Sequence, residues 1–326
     1  MQILVILPNW LGDAVMTTPA LELLVHYYPQ VEFTFVGSYV AIEAIKHHPH
    51  TKKAIVDTTK QASSRVLATY KLAKELGSFD MAISFRNQIY ASLLLRLTGT
   101  VITIARASWH SNFLLSHTPN ISTQQHLVKQ YVELAMINQE NFDGIIPPLK
   151  LYIKKKEFEK PMLGINAGAT YGSAKRWYPE RFAEVAAYFS SDYDIIIFGG
   201  PNEVEMAQDI QKHLEKLQVT NFTNLAGKTT IEELCATIGG CSLFITNDSG
   251  PMHVAAAYQV PTVAIFGPTK YKETSQWMNK KSVLVRHEME CSPCMKRECP
   301  LKHHECMTTI TASEVIEAVK SLHVRV

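Results

Sequence analysis

The chain has no apolar stretch approaching the ~20 residues that a membrane-spanning helix needs, which excludes an integral protein built on hydrophobic helices. Its opening run, Met1-Gln2-Ile3-Leu4-Val5-Ile6-Leu7, has no basic flank and is soon interrupted by Pro8-Asn9, so it reads as a buried strand and not as a signal peptide. Charge of one sign is also scarce. A formal net charge of +2 excludes the strongly basic balance of a nucleic-acid binder, and the runs Lys46 to His50, Lys154 to Lys156 and Lys302 to His304 are short. No internal repeat or low-complexity tract is present, and the spacing G-x-G-x-x-G of a dinucleotide fingerprint is missing around Gly12. Gly227-Lys228-Thr229 resembles the end of a P-loop, but Phe222 stands where that motif requires a glycine. These absences describe a globular protein with reduced thiols, expected in the cytoplasm.

What is present is a βαβ rhythm. Among 326 residues, 46% hydrophobic, short β-branched runs alternate with amphipathic segments, and the length suffices for two cores. Strands are expected at Ile3 to Leu7, Glu32 to Val36, Lys53 to Val56 and Met81 to Ser84, with helices at Ala20 to His26 and Leu67 to Leu76. Near Asp143 to Lys160 the rhythm gives way to Gly144, Pro147-Pro148 and a lysine-rich stretch, the composition of an interdomain connection. It then restarts with strands at Leu163 to Asn166, Ile195 to Phe198, Leu243 to Ile245 and Thr262 to Phe266. Helices are expected at Glu180 to Phe189, Glu203 to Leu214, Ile231 to Ile238 and Met252 to Tyr258. Thr230 with Glu233, and Thr311 with Glu314, form capping boxes at helix starts. The expected fold is α/β: two Rossmann-like, doubly wound domains, 1–150 and 151–326, facing each other across a cleft.

The stretch Thr246-Asn247-Asp248-Ser249-Gly250-Pro251-Met252-His253 carries the strongest chemical signal. A strand ends in a polar turn and a helix opens at Gly250-Pro251, so unpaired backbone N–H groups point at a place suited to a phosphate. Asp248 or Ser249 can cap that helix, and His253 is a candidate charge partner. The loop after Leu163 to Asn166, Ala167 to Pro179, adds small residues for close approach, hydroxyls at Thr170 and Ser173, and the cations Lys175 and Arg176. Trp177 within it reads equally well as core. Gly199-Gly200 is a second strand-end turn, able to press against a nucleotide base or to serve as a plain tight turn.

Asp13 follows the first strand. A carboxylate there can take a proton from a hydroxyl nucleophile, and it can as readily be a helix N-cap. Cys291, Cys294, Cys299 and Cys306, with His303 and His304 among them, offer four thiols to a structural zinc, yet their spacing is not that of paired C-x2-C ligands. Free or partly buried thiols are the preferred reading, and no metal is assigned.

Asn9-Trp10-Leu11-Gly12-Asp13, the Gly168 to Trp177 loop, Asn247 to His253 and Cys291-Ser292-Pro293-Cys294-Met295-Lys296-Arg297-Glu298-Cys299-Pro300 together resemble the ADP-heptose:lipopolysaccharide heptosyltransferase family. The resemblance covers nearly the whole chain. It implies a GT-B fold, acceptor contacts mainly in the N-terminal domain and a nucleotide-sugar donor in the C-terminal one. The implied donor is ADP-L-glycero-D-manno-heptose, the implied acceptor the first heptose of the inner core on Kdo-lipid A, and the implied reaction an inverting transfer without a cofactor. By the same resemblance Asp13 is the general base. The donor contacts fall on Thr170, Tyr171, Lys175, Asp248, Ser249, Gly250 and His253, joined by Gly199 from its strand-end turn, and those of the acceptor on Arg86 and Asn87. Two departures stand out: Tyr171 occupies a position often held by a small hydroxyl residue, and Phe85-Arg86-Asn87-Gln88-Ile89-Tyr90 replaces a pattern ending in lysine. Arg86 is then the candidate for the displaced positive charge. Transient contact with the inner face of the inner membrane is also implied, with Arg106 and Trp109 as candidates, and no nucleic-acid partner. A heptosyltransferase acting on another inner-core acceptor and a sugar-nucleotide epimerase of similar architecture are the alternative readings. A two-lobed solute-binding protein would carry an export signal.

Overall fold

The computed structural model describes residues 1–109 and 112–323. The chain divides into two compact units, Met1–Tyr152 and Ile153–Val326. The first contains one parallel sheet of β1 (Gln2–Ile6), β2 (Glu32–Gly37), β3 (Thr51–Val56), β4 (Met81–Ser84) and β5 (Ile102–Ala105), in the order β3-β2-β1-β4-β5. The second contains a parallel sheet of β6 (Met162–Asn166), β7 (Asp194–Phe198), β8 (Phe222–Asn224), β9 (Leu243–Asn247), β10 (Thr262–Ile265) and β11 (Ser282–Val285), in the order β11-β10-β9-β6-β7-β8.

These are one topology used twice. In each unit the first strand is central, the next two pair outward on one side and the fourth starts the other side, so the winding reverses between first and fourth strand. That reversal opens a crevice at the carboxyl ends of β1 and β4 in the first unit, and of β6 and β9 in the second. Helices on both faces explain why the central strands are nearly continuous apolar runs: Ile3, Leu4, Val5 and Ile6 in β1 are all buried, as is every residue of β9. On one face of the first sheet Leu4, Ile6, Val36 and Ala82 pack against Leu94 and Leu95. In the second unit Ile165, Ile197, Ile245 and Val263 pack with Phe182, Ile210 and Trp177, which settles Trp177 as core.

The edge strand β3 differs, with Lys52 and Lys53 exposed and paired to Glu32 and Glu75 at 2.8 and 2.9 Å. Charges on an edge discourage another strand from adding there.

Both capping boxes form, at Thr230 with Glu233 and Thr311 with Glu314. Two capping readings are corrected. Asp13 is not an N-cap: the helix Leu11–Met16 is capped by Trp10 without a side-chain bond, and Asp13 lies inside its first turn. At the helix Gly250–Ala257 the N-cap is Ser249, but its hydroxyl makes no cap bond, and Asp248 is engaged elsewhere. No helix among the described residues is long and apolar enough to cross a membrane.

Candidate active site

The crevice of the second unit is built by the loops that follow β6 and β9. Two buried asparagines knit them together. Asn247 donates from its side-chain amide to Ala167 O at 2.5 Å and accepts from Trp177 N at 3.1 Å. Asn166 reaches back across the same gap to Gly168 O and Ser249 Oγ, both at 3.2 Å. Thr246 Oγ1 lies 3.1 Å from Ser249 Oγ. The bonds to Ala167 O, Gly168 O and Trp177 N supply backbone partners that an irregular loop lacks, and the side-chain bonds to Ser249 Oγ tie the two loops together.

Inside this frame Lys175 Nζ sits 2.6 Å from Asp248 Oδ2 and 3.3 Å from Asp248 O, with both side chains largely buried. Thr269 donates its hydroxyl to the same carboxylate oxygen at 2.6 Å. Asp248 is therefore a fixed counter-charge that aims Lys175, and the lysine carries little net field until something displaces or shares that pair. Ser249 and Gly250 bring the N–H groups of the helix start to the same place, and Pro251 in the first turn has none to lose. His253 is buried in that first turn. Thr170 is exposed on the other loop, and Tyr171 leans over Lys175 with its ring centroid 5.0 Å from Nζ. Lys175, Asp248, Ser249, Gly250 and His253 thus share one locality, with Thr170 and Tyr171 on the facing loop.

The small residues have an internal reason. A methyl group at Gly168 would fall 2.1 Å from the Glu203 carboxylate, and one at Gly172 would fall 2.2 Å from Arg297 O. Their lack of a side chain admits other parts of the protein, not a ligand. Gly199 is likewise closed in: a methyl there would meet Ala226 Cβ at 3.1 Å.

The cysteine segment leans on this loop. Tyr171 donates its hydroxyl to Met295 O at 2.7 Å, Ala174 N donates to Arg297 O at 3.0 Å, and His304 bridges Tyr178 Oη and Ala174 O at 3.0 and 2.9 Å. Cys291, Cys294, Cys299 and Cys306 line one hollow behind it, all as free thiols. Burial first, and then the neighbouring sulfurs, pushes the Cys306 thiol up to about 11.

In the first unit the loop after β1 carries Asp13, half-buried beside the helix Leu127–Ala135. Burial, and then the Asp13 charge, raises the ionisation of Tyr131 on that helix well above its ordinary value, so Tyr131 remains a neutral neighbour. Arg86, after β4, is not a free surface cation. Its Nε donates to Leu7 O at 2.5 Å and its Nη1 to Asp57 Oδ2 at 2.9 Å, with the residue 8% exposed. Asn87 beside it is exposed. Arg106 is committed too, to Gln130 Oε1 and Ile121 O at 3.1 and 2.7 Å, whereas Trp109 is 91% exposed. Asp57, Asn166 and Thr269 carry no motif in the sequence, and only the positions of Asp57 and Asn166 at strand ends could have drawn attention to them; Asn247 stands within the motif after β9, but its bracing role was not legible there.

Two Rossmann-like units, the second with the Lys175–Asp248 pair at its crevice, are the architecture of a GT-B glycosyltransferase. A sequence profile of glycosyltransferase family 9 (heptosyltransferase) matches residues 69–305. The lipooligosaccharide heptosyltransferase 2 of Campylobacter jejuni is 38% identical over 99% of this chain and 98% of its own. The lipopolysaccharide heptosyltransferase 2 of Escherichia coli is 26% identical over 99% and 98%. The solved structure of the E. coli ADP-heptose LPS heptosyltransferase II superposes with a TM-score of 0.84 at 25% identity, covering 99% of this chain and 98% of that one. The chain belongs to glycosyltransferase family 9.

Proposed function

We propose that this glycosyltransferase is a heptosyltransferase II, moving L-glycero-D-manno-heptose from ADP-heptose to the first heptose of the lipopolysaccharide inner core with inversion. The full-length likeness to proteins named heptosyltransferase 2 carries the reading. The charge arrangement at the end of β9 supports its chemistry. The N-terminal domain takes the acceptor and the C-terminal domain the donor.

Asp13 removes the acceptor hydroxyl proton as that oxygen attacks the anomeric carbon, and ADP departs from the opposite face. Negative charge then grows on the diphosphate. Lys175, the Thr170 hydroxyl and the N–H groups at Ser249 and Gly250 stabilise it, with Asp248 keeping Lys175 in place. Tyr171 and Gly199 flank the nucleotide, and His253 together with Asp248 holds the donor. Arg86 and Asn87 contribute to the acceptor side. Because the acceptor carries a lipid anchor, the protein works at the inner face of the inner membrane, where exposed Trp109 is suited to the headgroup region. The test is incubation with ADP-heptose and a truncated inner-core acceptor, followed by mass analysis. One added heptose, released ADP and no reaction without acceptor are expected. Conversion of the sugar nucleotide without acceptor would instead mark an epimerase.

A further inference from the structure

The hollow behind the donor loop gathers four sulfurs, those of Cys291, Cys294, Cys299 and Cys306. All four are free thiols, with Cys306 buried and the other three half-buried. The proposed transfer chemistry uses none of them. The segment that carries them is fastened around Gly267 and Pro268. Ser292 donates its hydroxyl to Gly267 O at 2.7 Å, and Met295 N donates to Pro268 O at 2.9 Å. Cys306 Sγ packs on the same glycine, so closely that a methyl group there would fall 3.1 Å from the sulfur. Cys294 and Cys306, well apart in sequence, are thus drawn to one pair of residues. Among the neighbouring sulfurs, Cys294 is the one whose charge acts most strongly on Cys306.

The walls of this hollow are continuous with the donor seat. Two residues of its lining, Ala174 and Pro268, immediately precede Lys175 and Thr269. Those are the two side chains that bond Asp248 Oδ2, each at 2.6 Å. Ala174 is also held from the cysteine segment, by Arg297 O on its N–H and by His304 on its carbonyl. A packed interior transmits a displacement, so a shift of the hollow's walls moves both partners of Asp248 together. Disulfide formation makes such a shift, because it draws two sulfurs well inside the contact distance of free thiols.

We propose that Cys294 and Cys306 are an oxidisable pair whose disulfide weakens the nucleotide seat. The oxidant is a hydroperoxide. The half-buried Cys294 thiol meets it first: its sulfur takes one oxygen and becomes a sulfenic acid, and the peroxide leaves as an alcohol, or as water when the oxidant is hydrogen peroxide. The Cys306 sulfur then attacks that of Cys294, forming the S–S bond, and its proton leaves with the departing hydroxide as water. The two sulfurs lose two electrons in all, and the broken O–O bond takes them up. Burial keeps the Cys306 thiol protonated, which suits it to the second step and not to the first. This rests on the reading of the seat as the ADP site and adds a control on it.

The experiment takes the full chain purified under reductant and then freed of it, with and without a stoichiometric amount of hydrogen peroxide. Crosslinks are mapped by peptide mass analysis, the donor loop 167–179 is followed by hydrogen–deuterium exchange, and ADP affinity is measured calorimetrically. With peroxide, a Cys294–Cys306 crosslink lighter by two hydrogens, faster exchange in the loop and about tenfold weaker ADP binding are expected, all reversed by dithiothreitol. Cys294→Ser, at a half-buried position that tolerates the change, should bind ADP like the reduced wild type and should not respond to peroxide. No crosslink, a crosslink between other cysteines, or a Cys294–Cys306 crosslink that leaves exchange and affinity unchanged overturns the proposal. So does a stoichiometric metal ion held by the thiols, read by elemental analysis. The crosslink and exchange readings involve no nucleotide, so a reduced chain that failed to bind ADP would count against the transferase reading alone.

Discussion

The two crevices share a strand order and differ in how their charges are held. At β6 and β9 the cation Lys175 has its carboxylate at 2.6 Å, and neutral amides from Asn166 and Asn247 lock the surrounding backbone. At β1 and β4 the cation Arg86 is bound to Asp57, Arg65 stacks on the face of Tyr90, and Asp13 is a half-buried carboxylate in the loop after β1. Topology therefore provides the location twice, and the side chains at the strand ends decide what each location does. A preorganised, charge-balanced seat suits a departing diphosphate. A half-buried carboxylate in the loop after a strand end suits an acceptor hydroxyl that must lose a proton.

Breaking each side separately sharpens this contrast. The largest effect is expected from Asp13→Asn, which removes the proposed base: kcat should fall by about 10²–10⁴-fold, while the isosteric amide keeps the protein folded, since the N-cap of that helix is Trp10. Steady-state kinetics beside a thermal melt checks both halves. Lys175→Met should follow, lowering kcat by about 10²-fold through lost charge stabilisation. It also strands Asp248 without its cation, so stability should drop by about 3 kcal/mol, read by denaturant unfolding. Gly172→Ala should cost about 1–3 kcal/mol and weaken donor binding, since the added methyl drives the loop off Arg297 O. Normal ADP affinity in that variant would show that the cysteine segment does not brace the donor loop.

The smallest effect concerns acid. Burial alone would raise the Glu22 carboxyl, but the His48 ring nitrogen 3.3 Å away, a hydrogen bond from Tyr152 and the charge of Lys150 hold it at about 2, below its ordinary 4.5. A depressed carboxylate stabilises fully above its unfolded value and loses that contribution as pH falls through the folded one. The first unit should therefore weaken between pH 4.5 and about 2, and Glu22→Gln should flatten that part of a pH-dependent unfolding curve.

Sequence patterns revealed much of this arrangement, for identifiable reasons. Leu243 to Tyr258 was legible as strand, turn and helix because apolar runs, Gly-Pro and polar turn residues all act locally. The capping boxes at Thr230 and Thr311 were legible for the same reason. Arg86 with Asp57 was not, because that pair joins residues 29 apart through neighbouring strand ends. Nor was the purpose of Gly168 and Gly172: their local signal suggests ligand approach, whereas the crowding comes from Glu203 and Arg297. The short strands β5, β8 and β11, at three to four residues, carry too little periodicity to stand out.

The division of labour between the two crevices is tested most directly by calorimetric ADP binding to Asp13→Asn and Lys175→Met side by side. Wild-type ADP affinity in Asp13→Asn, despite lost transfer, with clear weakening in Lys175→Met, is the predicted result. Weakened ADP binding in Asp13→Asn, or unchanged binding in Lys175→Met, would contradict it.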